Sequence, residues 1–322
     1  MKKMGEMMMM NKVFRVLKTC FLSVLATVLL LSPAVGQAAA SDPAAKAQLE
    51  AAYAAMEQVK SGNVVLEFLG KTMLADATGN LNVNFVAKPT VTTQGKCKLV
   101  LGDAAKPSAM EYDFYTVDEE KNYTLYYKDD KDQWYKEVYS KEESSKKAAQ
   151  EKDDPNYQAF AQELKDCEEA VRFGKDDGKQ QTYLVTVDGA KLWPAVSKYA
   201  KTQIKSDNKK DFDPDVIFEA LAGMGDVEYE VTVDKATNQV VAAKIDLSKP
   251  LGNFVSSIMN NAKVEAQTKT VVGMFLSGAQ LTIQATGSQY NQVSEIKVPD
   301  SVVKNAKPAP KGDKKAKEDK AA

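Results

Sequence analysis

Residues 227–247 read VEYEVTVDKATNQVVAAKIDL. Val227, Tyr229, Val231 and Val233 alternate with Glu228, Glu230 and Thr232, a period of two that sends apolar side chains to one face of a strand and polar ones to the other. Asp234-Lys235-Ala236-Thr237-Asn238 is turn chemistry, and Val241, Ala243, Ile245 and Leu247 return the chain. The stretch is a hairpin with one face for a core and one for water, as antiparallel sheets have. The same rhythm recurs upstream in Leu81, Val83 and Phe85, in Cys97, Leu99 and Leu101, in Met110, Tyr112 and Phe114, and in Tyr123, Leu125 and Tyr127. The expected framework is an antiparallel meander.

Helical spacing appears between and around these strands. A helix opens at Asp42-Pro43, carries Leu49, Tyr53, Met56 and Val59 on one stripe, and stops at Ser61-Gly62. Residues 140–155 are charged and aperiodic, which predicts a loop. A helix over 156–173 follows from Phe160, Leu164, Cys167 and Val171. Strand 182–187, a helical segment through Trp193 and Tyr199, and a short helix near 214–224 come next. A helix over 250–262 carries Leu251, Phe254, Val255, Ile258 and Met259, and two strands are expected near 272–286 and 290–298.

The first forty residues have the three parts of a secretory signal: Lys2, Lys3, Lys12, Arg15 and Lys18, then an apolar run from Phe21 to Leu31, then Ala38 and Ala40 in small-x-small spacing. Cleavage is expected near Ala40, or after Ala38, which places the remaining chain outside the cytoplasm. Cys20 precedes the apolar run, the wrong place for lipidation. Residues 304–322 are rich in Lys, Ala and Pro, a composition expected to be disordered. That tail is either a solubilising segment or a contact to envelope polymers or a membrane surface. Net charge is -1, so nothing steers the chain toward nucleic acid.

The chain has no histidine. This excludes Ser-His-Asp and Cys-His nucleophiles and His-based zinc sites, and a non-enzymatic protein without a cofactor or metal is expected. Asp211-Phe212-Asp213-Pro214-Asp215 begins like a calcium loop, but Val216 stands where the tight-turn Gly belongs and Ala222 where the bidentate acid belongs. Cys97 and Cys167 are a candidate disulfide in an oxidising compartment. Two buried thiols are the alternative, and only geometry decides between them.

Three pieces carry a family resemblance. They are the opening helix running into Val59-Lys60-Ser61-Gly62-Asn63-Val64-Val65-Leu66-Glu67, the hairpin 229–241, and the ending Asn291-Gln292-Val293-Ser294-Glu295-Ile296-Lys297-Val298-Pro299. In this order they resemble secreted proteins with a LolA/LppX-like half-barrel. The resemblance implies an α+β fold, a curved antiparallel sheet packed on helices at its concave face. It spans residues 41–303, with a helical, charged insertion at about 140–223 that a minimal half-barrel lacks. It also implies a lipid or acyl-chain ligand held between sheet and helices.

The cavity candidates that follow are Val83, Phe85, Leu99, Leu101, Tyr112 and Phe114 on the sheet, with Leu251, Phe254, Ile258 and Met259 as a helical lid. The same residues also suit plain core packing. The alternative function is a structural or adhesive envelope module using the tyrosine strip of Tyr112, Tyr115, Tyr123, Tyr126, Tyr127, Tyr135 and Tyr139, with Trp134. Tyr126 and Tyr127 are expected on opposite faces.

Overall fold

A computed structural model describes residues 41–72, 76–87, 91–102, 108–129, 131–142, 155–167, 169–203 and 219–310. The segment read as a secretory signal (1–40), the acidic run 211–215 and the tail beyond 310 lie outside the described residues.

Helix α1 (Pro43–Met56) starts where Asp42 accepts hydrogen bonds from the Ala44 and Ala45 amides at 2.8 and 3.2 Å, with Pro43 in the first turn. Its stripe of Ala45, Leu49 and Ala52 is buried. Strands β1 (Ser61–Lys71), β2 (Asp76–Val86), β3 (Thr92–Gly102), β4 (Ser108–Asp118), β5 (Asn122–Lys128) and β6 (Trp134–Ser140) then form a continuous antiparallel meander.

Helix α2 (Pro155–Asp166) leads into β7 (Glu169–Asp176) and β8 (Gln180–Val187), followed by α3 (Gly189–Gln203) and a 3₁₀ turn at Ala222–Met224. Strands β9 (Val227–Asp234) and β10 (Gln239–Asp246) are the hairpin read from sequence. Helices α4 (Ser248–Asn260) and α5 (Ala266–Leu276) precede β11 (Gln280–Ser288), and α6 (Asp300–Asn305) precedes the short β12 (Lys307–Pro308).

The strand order is β12-β6-β5-β4-β3-β2-β1-β11-β10-β9-β8-β7. Two meanders therefore meet at one seam, where β1 pairs antiparallel with β11 from Asn63↔Ser288 to Lys71↔Gln280. Among the described residues all pairings are antiparallel except β12 on β6. The result is the expected α+β architecture, an open, curved sheet with helices.

One sheet face is traceable through the register. On the β7–β10 half it presents Val171, Tyr183, Val185, Tyr229, Val231 and Val233, and α1 buries them under Ala45, Leu49 and Ala52. In the β9–β10 hairpin the Asp234 carboxylate accepts from the Ala236 and Thr237 amides, and Asn238 adopts a left-handed φ of 56°. A bulge between Val240 and Ala242 shifts the returning strand, so Val240 packs on the core.

Four readings change. The helix expected over 156–173 ends at Asp166, because residues 169–176 pair with β8, and Val171 accepts the Asp42 amide at 2.8 Å beneath α1. The segment 140–223 thus supplies two strands of the main sheet. Residues 266–276 are helical, and the strand expected from 272 begins only at Gln280. Residues 290–298 form no regular strand. Finally, α6 and β12 occupy residues 300–308, so the first part of the sequence-assigned tail is folded.

The segment after β11 clamps the seam. The Tyr290 hydroxyl donates to the Val240 carbonyl at 2.6 Å, and its ring lies across Gly62 and Gly287. Asn291 accepts the Lys60 amide through its side chain at 2.7 Å and donates its own amide to the Ser61 carbonyl at 2.8 Å. Burial pushes the Tyr290 phenol up to about 12.

A Cβ on Gly287 would stand 1.6 Å from the Tyr290 hydroxyl. Gly287→Ala is therefore expected to lose about 1–3 kcal/mol of unfolding free energy, the usual range for overpacking. Combining it with Tyr290→Ala should cost less than the sum of the two single changes. Denaturant unfolding measures both, and strict additivity would refute the clamp.

Candidate functional site

Registers across β1–β6 define the continuation of the face that α1 covers elsewhere. Val64, Val83, Gly95, Phe114, Tyr127 and Tyr135 form one cross-strand row. Leu66, Leu81, Cys97 and Tyr112 form the next, and Phe68, Gly79, Leu99 and Met110 a third. The six predicted sheet residues, Val83, Phe85, Leu99, Leu101, Tyr112 and Phe114, share this face. Val83 and Leu99 are buried, and the other four are half-buried.

Two rings lie flat on the sheet. A Cβ on Gly95 would be 2.5 Å from the Phe114 ring, and one on Gly79 would be 1.9 Å from the Phe68 ring. Glycine at these positions is what lets an aromatic side chain lie down against its neighbouring strand. Tyr127 and Tyr135 stack with centroids 5.5 Å apart, and burial, then the Glu137 carboxylate, pushes the Tyr127 phenol up to about 12.

The helical residues go elsewhere. Phe254 and Ile258 are buried in a second core with Ala220, Met224, Val255 and Val264, against which Leu251 and Trp193 pack. Helix α4 packs on the 3₁₀ turn, on α5 and on β11, not over β2–β6. Met259 points away from that core, more than two-fifths exposed. The Trp193 indole donates to the Gly225 carbonyl at 2.7 Å and the Asn253 amide to the Met224 carbonyl at 3.0 Å, which fixes α3 and α4 on the 3₁₀ turn.

Cys97 and Cys167 are not bridged to one another. Cys97 lies on β3 and Cys167 just before β7, seven places apart in the strand order. At about 4.8 Å per strand that is on the order of 30 Å along the sheet, against a Cα separation of roughly 4.4–6.8 Å for a disulfide. The Cys167 thiol donates to the Glu163 carbonyl at 3.0 Å, and burial raises the Cys97 pKa.

The opposite face of the same strands is polar and hollowed. Asn82, Asn84, Gln94, Lys96, Asp113, Tyr115 and Trp134 line a depression of about 330 Å³. Asn63 donates to the Oδ1 atoms of Asn82 and Asn84 at 2.7 and 2.8 Å. The Tyr115 and Trp134 rings sit 5.7 Å apart at 39°. Tyr126 shares this face but is buried, and Tyr127 points to the other, as expected. The strip is thus divided: Tyr115, Tyr126 and Trp134 on the polar face, and Tyr112, Tyr123, Tyr127, Tyr135 and Tyr139 on the apolar one. The amide ladder was absent from the sequence candidates. Its only sequence trace is the Leu-Asn-Val-Asn-Phe alternation of 81–85.

Asp113 anchors the charge in this depression. Burial alone would raise its pKa, but the ammonium groups of Lys128 at 3.0 Å and Lys96 at 3.3 Å outweigh that and hold it below the ordinary carboxylate range. No group of three His, Cys, Asp or Glu able to hold a metal occurs among the described residues, and no described helix is long and apolar enough to cross a membrane.

A family model matches residues 44–307, nearly the whole folded part. The chain belongs to DUF6612, a family of unknown function. No curated protein matches it. Among solved structures, the crystal structure of LprF from Mycobacterium bovis is similar over 81% of this chain and 99% of its own, at 11% identity and a TM-score of 0.36. A likeness at that level carries no inference about ligand or activity.

Two outcomes check these assignments. Ile258→Ala is expected to lower unfolding free energy by about 2–5 kcal/mol, as for a fully enclosed side chain. For Asp113 the folded pKa is depressed, so its ion-pair contribution is complete above the ordinary value near 3.9 and is lost as pH falls through the folded value. The stability difference between wild type and Asp113→Asn should therefore shrink between about pH 5 and pH 2. A difference that stays constant with pH would remove the ion pair as its source.

Proposed function

We propose that this protein is a non-enzymatic, exported envelope protein that holds a lipid or another ligand with an acyl chain against the apolar face of β1–β6. The observation that carries this reading is the unequal treatment of one face. Across β7–β10 the face is sealed by α1, whereas across β2–β6 its Leu81, Phe85, Leu101, Tyr112 and Phe114 lie outside that core and stay half-exposed. Contiguous apolar surface of this kind is costly in water and marks ligand or partner sites. The flat rings of Phe68 and Phe114 make its floor smooth, which suits a flexible chain better than a rigid polar molecule. The resemblance to LolA/LppX-like half-barrels and the signal-like first forty residues favour the same reading.

Native mass spectrometry of the purified protein, followed by solvent extraction, tests it. The wild type is expected to carry lipid. Leu81→Asp, on the apolar face, should lose most of it, while Lys98→Glu on the opposite face should retain it. A lipid-free wild type that also takes up no added fatty acid would end the proposal.

A further inference from the structure

We propose that the polar face of β2–β6 carries a second binding site, for an uncharged glycan. The site is the depression of about 330 Å³ behind the apolar face. That volume is at the lower end of small-molecule sites, which run from about 300 to 1,000 Å³, and it suits a short stretch of sugar.

The chemistry of the lining selects the ligand class. Asn63 donates to the Oδ1 atoms of Asn82 and Asn84, which occupies their acceptor ends and leaves their NH₂ groups without a hydrogen bond among the described residues. The Trp134 indole N–H is likewise unused there. Gln94 donates to the Tyr115 hydroxyl at 3.4 Å, which leaves its own carbonyl open. Asp113 Oδ1 is shielded from water and faces Lys96 Nζ at 3.3 Å. Lys96 is largely exposed and able to swing aside for a ligand hydroxyl.

The depression therefore offers directional donors, directional acceptors and a tilted aromatic pair. Sugar rings present the complementary set: hydroxyls around the edge and apolar C–H faces for aromatic contact. Charge argues for a neutral ligand. Asp113 and Asp132 offset Lys96 and Lys128, with Lys128 3.0 Å from both carboxylates, so no net field favours an anion or a cation. A peptide added as an extra strand is excluded on topology, since β2, β3 and β4 are each paired on both sides.

Calorimetric titration with two neutral trisaccharides, N,N′,N″-triacetylchitotriose and maltotriose, tests the site, alongside pull-down on insoluble chitin and amylose. Soluble binding identifies a free oligosaccharide ligand, and retention on the polymer alone identifies a polysaccharide; either supports the site. The emission of Trp134 should shift on binding, and Trp134→Phe, which keeps Trp193, should abolish the shift. Asn82→Ala and Asn84→Ala should each weaken binding about tenfold or more, about 1.4 kcal/mol, with an unchanged thermal midpoint. The proposal is overturned if neither sugar nor polymer binds the wild type, or if both asparagine variants bind as well as it does. The lipid reading stands apart from these results, because Leu81→Asp acts on the other face.

Discussion

The pairing of β1 with β11 is the constraint on which everything else depends. Each meander is built from consecutive strands and local turns, but neither alone makes the observed sheet. The seam joins residue 63 to residue 288 and residue 71 to residue 280. Closing that distance costs chain entropy before any contact rewards it. Tyr290 and Asn291 reinforce the junction from the same side of the sequence, with hydrogen bonds to Val240, Lys60 and Ser61. The two glycines beneath Tyr290 are therefore conditions of the fold: a side chain at Gly62 or Gly287 would occupy the space the tyrosine uses.

From the seam outward the two halves diverge. One half acquires a helix over its apolar face and becomes a conventional two-layer core. Helices α3, α4 and α5 gather in a second core around Ile258 and Phe254, held by the 3₁₀ turn and the Trp193 hydrogen bond. The other half keeps its apolar face only partly covered and develops an amide and aromatic surface behind it. A single sheet thus presents two chemically opposed surfaces, back to back, separated by one backbone layer.

Much of this was legible in residue patterns. Alternation located β2 to β5 of the first meander and the 227–247 hairpin, and it placed Val83, Leu99, Tyr112 and Phe114 on a common face. The Asp42-Pro43 start of α1 follows from capping chemistry. Other parts were hidden for physical reasons. Phe160, Leu164, Cys167 and Val171 continue a helical spacing across a real boundary, and only pairing with β8 turns the last of them into a strand residue. The lid placement of α4 depended on which strands its stripe meets, and packing on α5 and the 3₁₀ turn decided that. The polar depression draws on β2, β3, β4 and β6, so no local window contains it.

The ends of the described chain add a mechanical consequence. Asp42 is hydrogen-bonded to Val171 on β7, at one edge of the sheet, while β12 and Ala309 attach to β6 at the other. Eleven strand spacings separate β7 from β12, about 50 Å along the sheet at 4.8 Å per spacing. Anything joined at the two ends is linked through the full run of the sheet's ladders. Tension between them would run across the ladders rather than along the strands, and the two-residue β12 would peel from β6 first, acting as a weak link that yields before the binding surfaces are disturbed.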